Sequence, residues 1–141
     1  RIGPASREAA TAMLKALLIF GAIGIGASGC AASGAASYAD LQGAQTQELP
    51  QLNESAYDQL DPDLARFVGE HGGTTLWLAP GREGGAVCLV MADAAGATAT
   101  ACDTGSIDTT GSDFGDFVVI PDGGDVPTDA VAVSKNVFAI G

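Results

Sequence analysis

Gly24, Gly26 and Gly29 stand in the spacing G-x-G-x-x-G at the end of an apolar run, LLIFGAIGIG. In a βαβ unit that spacing lets a pyrophosphate approach the backbone at a helix N-terminus. Such chemistry requires a strand before the glycines, an amphipathic helix after them and an acidic residue about twenty positions on. The stretch that follows, CAASGAASYADLQGAQTQELP, has no apolar stripe at helical period, and Glu48 near the required offset is only one of seventeen acidic residues. The glycines are therefore not read as a nucleotide site.

The other reactive side chains are few. His71 is the single histidine and sits beside Gly72-Gly73, so it reads as an exposed turn residue and not a catalytic base. A Ser-His-Asp set assembled from Ser106 or Ser112 lacks a nucleophile elbow, and aspartates are too frequent here for their proximity to carry information. Asp103, Asp108, Asp113 and Asp116 lie in a glycine-containing loop and have the hard oxygens calcium favours, yet neither D-x-[DN]-x-[DN]-G nor GGxGxD is met. Trp77, the only tryptophan, falls at an alternating strand position and reads as core packing. The expectation is no enzyme, no catalytic residue, no metal and no cofactor.

The glycine triplet makes better sense with what precedes it. Arg1, Arg7 and Lys15 are followed by an uncharged stretch that is strongly apolar from Ala16 to Ala27. As a helix those residues would cover roughly 18 Å of a hydrocarbon core roughly 30 Å thick. A basic region, a short apolar region and then small residues is the order of a secretory signal. Ala27-Ser28-Gly29-Cys30 resembles the lipobox of bacterial lipoproteins, with Ala27 where leucine is usual. The resemblance implies that the Cys30 thiol is diacylated, that the bond before it is cut, and that the new amino terminus stays at the membrane. Two alternatives remain for this segment. The uncharged run extends to Ser37 and would serve as a glycine-rich single span, with Ala22 and Gly26 permitting close helix pairing; or the signal is cut without lipid. All three export the rest of the chain, and the anchored readings hold it outward-facing at the cell membrane.

Three cysteines leave one to explain in an exported protein. If Cys30 takes lipid, Cys88 and Cys102 remain as a disulfide pair, fourteen positions apart in segments that read as neighbouring strands; their spacing matches no zinc pattern. Removing residues 1–29 leaves three basic and sixteen acidic residues, a net charge of −13. That sign repels phosphate backbones and anionic headgroups, so no nucleic acid is expected; the partners are the membrane through the N-terminal anchor and an unidentified envelope or protein molecule.

Residues 30–51, rich in Ala, Gly, Ser and Gln, read as a flexible linker. The folded unit is expected over 52–141, enough for one small core. Ser55-Ala-Tyr-Asp58 has capping-box form, predicting a short helix within Ser55–Ala65, with Pro62 either ending it or starting a new turn capped by Asp61. RFVGEHGGTTLWLA predicts a hairpin about Gly72-Gly73 in a type I′ turn, placing Val68 opposite Trp77. AVCLVM (86–91) predicts a central strand and ATATAC (97–102) its partner. FVVIPDGG (117–124), AVAV (130–133) and VFAI (137–140) supply the remaining strands, the last two around Ser134-Lys135-Asn136. The fold class is mainly β: a small antiparallel sandwich or open barrel preceded by one short helix, with an N-terminal apolar signal or anchor helix. TLWLAPG, VCLVM, the second cysteine, VIPDGG and NVFAI together resemble a group of uncharacterised extracytoplasmic proteins of actinobacteria, across about Ala65 to Gly141. The resemblance implies export and the β fold, and no chemistry.

Overall fold

The computed structural model describes residues 36–141; residues 1–35, and with them the glycine triplet, the signal or anchor segment and Cys30, lie outside the described residues. The strand signals translate directly into sheet. Strands β1 (Arg66–His71), β2 (Thr74–Pro80), β3 (Ala86–Ala92) and β4 (Thr98–Thr104) form one antiparallel sheet in the order β1-β2-β3-β4. Strands β5 (Ile107–Asp108), β6 (Phe117–Val119), β7 (Val131–Ala132) and β8 (Val137–Ala139) form a second, in the order β5-β6-β8-β7.

The period-2 alternation of a strand sends successive side chains to opposite faces, and here both faces of β2 and β3 are covered. Leu76, Leu78, Val87, Leu89 and Met91 point to an inner core completed by Ile107, Phe117, Val119, Val137 and Ala139 of the second sheet. This is the arrangement of a small sandwich. Trp77, Ala79, Cys88, Val90 and Ala92 point the other way, into a cluster closed by Leu52, Ala56, Leu60 and Ala65. Burial on both sides is why VCLVM is an unbroken apolar run: Val87 to Met91 are all buried.

The covering layer corrects the expected linker. Residues 36–51 belong to the same compact unit as 52–141. Tyr38 is buried in the inner core, with Leu41 packed against it, and Leu49 packs on the outer cluster. A 3₁₀ turn forms over Ala39–Gln42. Polar backbone groups do the rest: Gly43 O accepts from Arg66 Nε at 2.7 Å and Gln47 O from the Trp77 indole at 3.0 Å. The segment has little apolar surface, but nearly all of it is placed.

Two local expectations are corrected as well. The short helix expected within Ser55–Ala65 is one turn, α1 (Glu54–Tyr57), starting one residue earlier, and Pro62 takes one of its two expected roles by starting a separate 3₁₀ turn, Pro62–Leu64. Asn53, not Ser55, is the N-cap; its Oδ1 accepts from Ala56 N at 3.0 Å, and Ser55 donates back to it. Asp61 caps the second turn through Asp63 N at 3.1 Å, with Pro62 as its first residue. In the first hairpin, Gly72 (φ 60°) and Gly73 (φ 85°) have the two positive φ angles a type I′ turn requires. Trp77, however, faces Phe67 and not Val68, because a β-bulge falls between Phe67 and Gly69. The bulge sends Phe67 to the outer cluster, its ring 6.2 Å from Trp77, and leaves Val68 against the inner core.

Gly69 makes the bulge possible. Its φ is +152°, and a Cβ there would lie 2.7 Å from Val133 Cγ1. Gly69→Ala is expected to cost about 1–3 kcal/mol, read as a lower denaturation midpoint with unchanged circular dichroism at low denaturant. An unchanged midpoint would mean that β1 and residue 133 are not packed this closely.

Candidate functional site

Each residue with chemical potential has a definite placement. Cys30 lies outside the described residues. Cys88 and Cys102 face each other across β3 and β4 and are joined by a disulfide, with S–S 2.05 Å and Cα–Cα 4.1 Å. Their close Cα approach marks a non-hydrogen-bonded antiparallel pair. The closed loop of fifteen residues contributes about 3 kcal/mol by restricting the unfolded chain. Cys88 is fully buried and Cys102 partly exposed, so one edge of the bond reaches the surface.

His71 is exposed at the end of β1, its ring edge-on to Phe117 at 6.1 Å. Among the described residues it hydrogen-bonds to neither Ser106 nor Ser112; Ser112 Oγ accepts from Phe114 N at 3.0 Å instead. Trp77 is buried, as core packing requires.

The aspartate-rich loop is occupied with its own turns. Asp108 Oδ1 accepts from the backbone and hydroxyl of Thr110, and these bonds, the hydroxyl's first, lower its carboxyl pKa. Asp116 Oδ1 accepts from Gly111 N at 2.7 Å and Asp103 Oδ1 from Thr104 N at 2.8 Å. Asp113 is exposed. No group of three or more His, Cys, Asp or Glu among the described residues is arranged to hold a metal ion. Thr109, buried beneath this loop, exchanges hydrogen bonds with Phe117 through both backbone and hydroxyl and so fixes β5 to β6.

The most developed polar constellation is one that sequence reasoning missed. Asn136 in the β7–β8 turn is 1 % exposed. Its Nδ2 donates to Ile120 O at 2.9 Å and Asp122 Oδ1 at 2.8 Å, while its Oδ1 accepts from Asp40 N at 2.9 Å. The Asp40 carboxylate in turn accepts from Ser134 Oγ, Lys135 N and Asn136 N. Asp122 also accepts from Ala39 N at 3.0 Å and Ser37 Oγ at 3.1 Å. The bond from Asn136 is the main reason its carboxyl lies below the usual range, with the Ala39 amide next. Tyr38, in the same segment, donates to Gly105 O; burial first, then Asp103 and Asp122, raise its hydroxyl pKa. The constellation latches residues 37–40 to the second sheet. A lone tyrosine in a run of small residues, and an asparagine closing a predicted turn, were the only signals of it in the sequence.

Two surface clefts flank β4. One, of about 390 Å³, is lined by Asp58, Gln59, Arg82, Glu83, Cys102 and Asp103 among others. The second is smaller and lies between α1 and Thr98–Thr100. Arg82 is tied down by donating Nε to Tyr57 O at 2.9 Å, which leaves the carboxylates to dominate the larger cleft.

Asn136→Ala would leave Ile120 O and the Asp40 amide without their buried partner, at a cost of about 1–3 kcal/mol. Because the Asp122 carboxyl is lowered in the fold, its contribution is present above the ordinary carboxylate value of about 4 and is lost as pH falls through the folded value. Thermal melts from pH 7 down to pH 3 are expected to show a steeper acid loss for the parent than for Asp122→Ala; parallel curves would contradict the latch. Compared with protein-family models, curated proteins and solved structures, the chain matches none.

Proposed function

We propose that the chain is a membrane-anchored, outward-facing envelope protein whose β domain acts by contact with another molecule and not by catalysis. The observation that carries this reading is the Cys88–Cys102 disulfide, because such bonds persist in oxidising, extracytoplasmic compartments. It leaves Cys30 as the odd cysteine, placed after the apolar segment and the lipobox-like Ala27-Ser28-Gly29. The anchor is then a diacylglyceryl group on Cys30.

Two further features support a contact role. The reactive polar side chains are engaged in turns and latches: Asp108, Asp116 and Ser112 within one loop, and Asp40, Asp122 and Asn136 with one another across three segments. The remaining surface is acidic, with sixteen carboxylates to three basic residues after position 29, which keeps the domain soluble and selects against anionic partners. The uncharged stretch before Ser37 favours a second reading, a single-pass membrane protein whose ectodomain is a subunit of a larger assembly. Ser37 itself is already bonded to Asp122, so a span would have to end before it.

Intact mass of the protein extracted from membranes separates the two. The lipoprotein reading predicts loss of residues 1–29 and an added diacylglyceryl group, both abolished by Cys30→Ser. A membrane-bound chain that retains Arg1 supports the span, and an untrimmed chain in the cytosol with all thiols reduced contradicts both.

A further inference from the structure

The first sheet has two edges, and they are treated differently. The β1 edge is broken by the Gly69 bulge, carries Arg66 and Glu70, and has Val133 close against it. Charges and bulges of this kind are how proteins blunt an edge. Strand β4 has none of them over Thr98-Ala-Thr-Ala-Cys102. It is seven residues long, it pairs with β3 without a register break, and among the described residues no strand lies on its other side. The second sheet's edges, β5 and β7, are two residues each.

The register fixes which backbone groups of β4 are open. Asp93 N donates to Ala97 O, and Cys88 and Cys102 form a non-hydrogen-bonded pair. Alternation then directs Ala99, Ala101 and Asp103 to β3 and turns the N–H and C=O of Thr98, Thr100 and Cys102 outward. Among the described residues these outward groups have no hydrogen-bond partner. Of three surface clefts, two run beside this same strand, one at each end.

We propose that the β4 edge is a docking site for an extended, basic segment of a partner protein, which adds as a fifth strand and sets a Lys or Arg side chain into the cleft of Asp58, Glu83 and Asp103. The strand supplies affinity through main-chain hydrogen bonds, and the cleft supplies side-chain selectivity. Charge chooses the occupant. A second copy of this chain, with a net charge of −11, would bring more negative charge to the same edge, whereas a cationic segment meets a cleft lined by three carboxylates and one cation, Arg82, whose Nε donates to Tyr57 O. The proposal rests on the reading of the domain as a contact module and is independent of how the chain is anchored.

The test uses the full chain in a neutral detergent with a synthetic peptide of alternating Lys and Val, and its Glu–Val counterpart as control. The Lys–Val peptide is expected to bind, more weakly as salt rises, and to slow hydrogen exchange at the amides of Thr98, Thr100 and Cys102. Thr100→Pro, which removes one outward N–H at an edge position where proline is tolerated, is expected to weaken binding about tenfold or more. Asp58→Lys with Glu83→Lys, both exposed positions, is expected to do the same with the fold unchanged. Amide protection in the parent chain decides the matter even if Thr100→Pro does not fold. Binding without protection of those three amides, binding by Thr100→Pro equal to the parent, or self-association through β4 in place of peptide binding would each overturn the proposal. Failure here would leave the mass measurement on the anchor unaffected.

Discussion

Burial of β2 and β3 on both faces is the constraint on which the rest of the structure depends. An antiparallel sheet commonly packs one face and wets the other, but Trp77, Cys88 and Val90 are as fully apolar and as deeply buried as Leu76, Val87 and Leu89 on the opposite side. A sheet with two greasy faces needs two covers. The second sheet is one, and the stretch from Leu49 to Ala65 is the other. That cover is a third layer, of which Leu52 to Ala65 lie within the expected ninety residues; the additional N-terminal segment extends it with Leu49 and with Gln47 O on the Trp77 indole, and sets Tyr38 into the inner core, fastened by Asp40, Asn136 and Asp122.

That dependence links the polar and apolar parts of the molecule. The latch costs nothing in unpaired groups: no buried side-chain polar atom among the described residues lacks a partner. Such fully satisfied networks fix a single arrangement where apolar contact alone would tolerate several. The disulfide acts at the other end of the same layer, closing β3 to β4 under α1. Between them they leave one long strand edge without a neighbour, beside a cleft whose charge is negative.

Much of the sheet was legible because its signals are local. Gly72-Gly73 fixes a turn, Thr74 to Ala79 alternates about it, and the pairing of Cys88 with Cys102 follows from the length of the intervening turn, where Asp93 Oδ1 caps Ala95 and Ala97. What was not legible depends on distant partners. Whether Phe67 or Val68 faces Trp77 is decided by Val133, sixty-odd positions away, and no pattern within β1 contains it. The layer formed by residues 36–51 was read as a linker because composition counts apolar residues without asking where they go; three suffice when the backbone carbonyls around them are also used. The site suffered in the same way: the aspartates looked like a resource for a cation, and only the distances of Asp108, Asp116 and Asp103 to Thr110, Gly111 and Thr104 show them bonded within the fold.

The third layer is tested most directly by hydrogen exchange of the full chain, followed at the Trp77 indole N–H and the Asp40 amide alongside the β3 amides. A layer integral to the fold predicts that all of them exchange slowly and lose protection together as denaturant is raised. Free-chain exchange at Asp40 and at the indole while β3 stays protected would show that residues 36–51 are a tether after all, and would contradict the account.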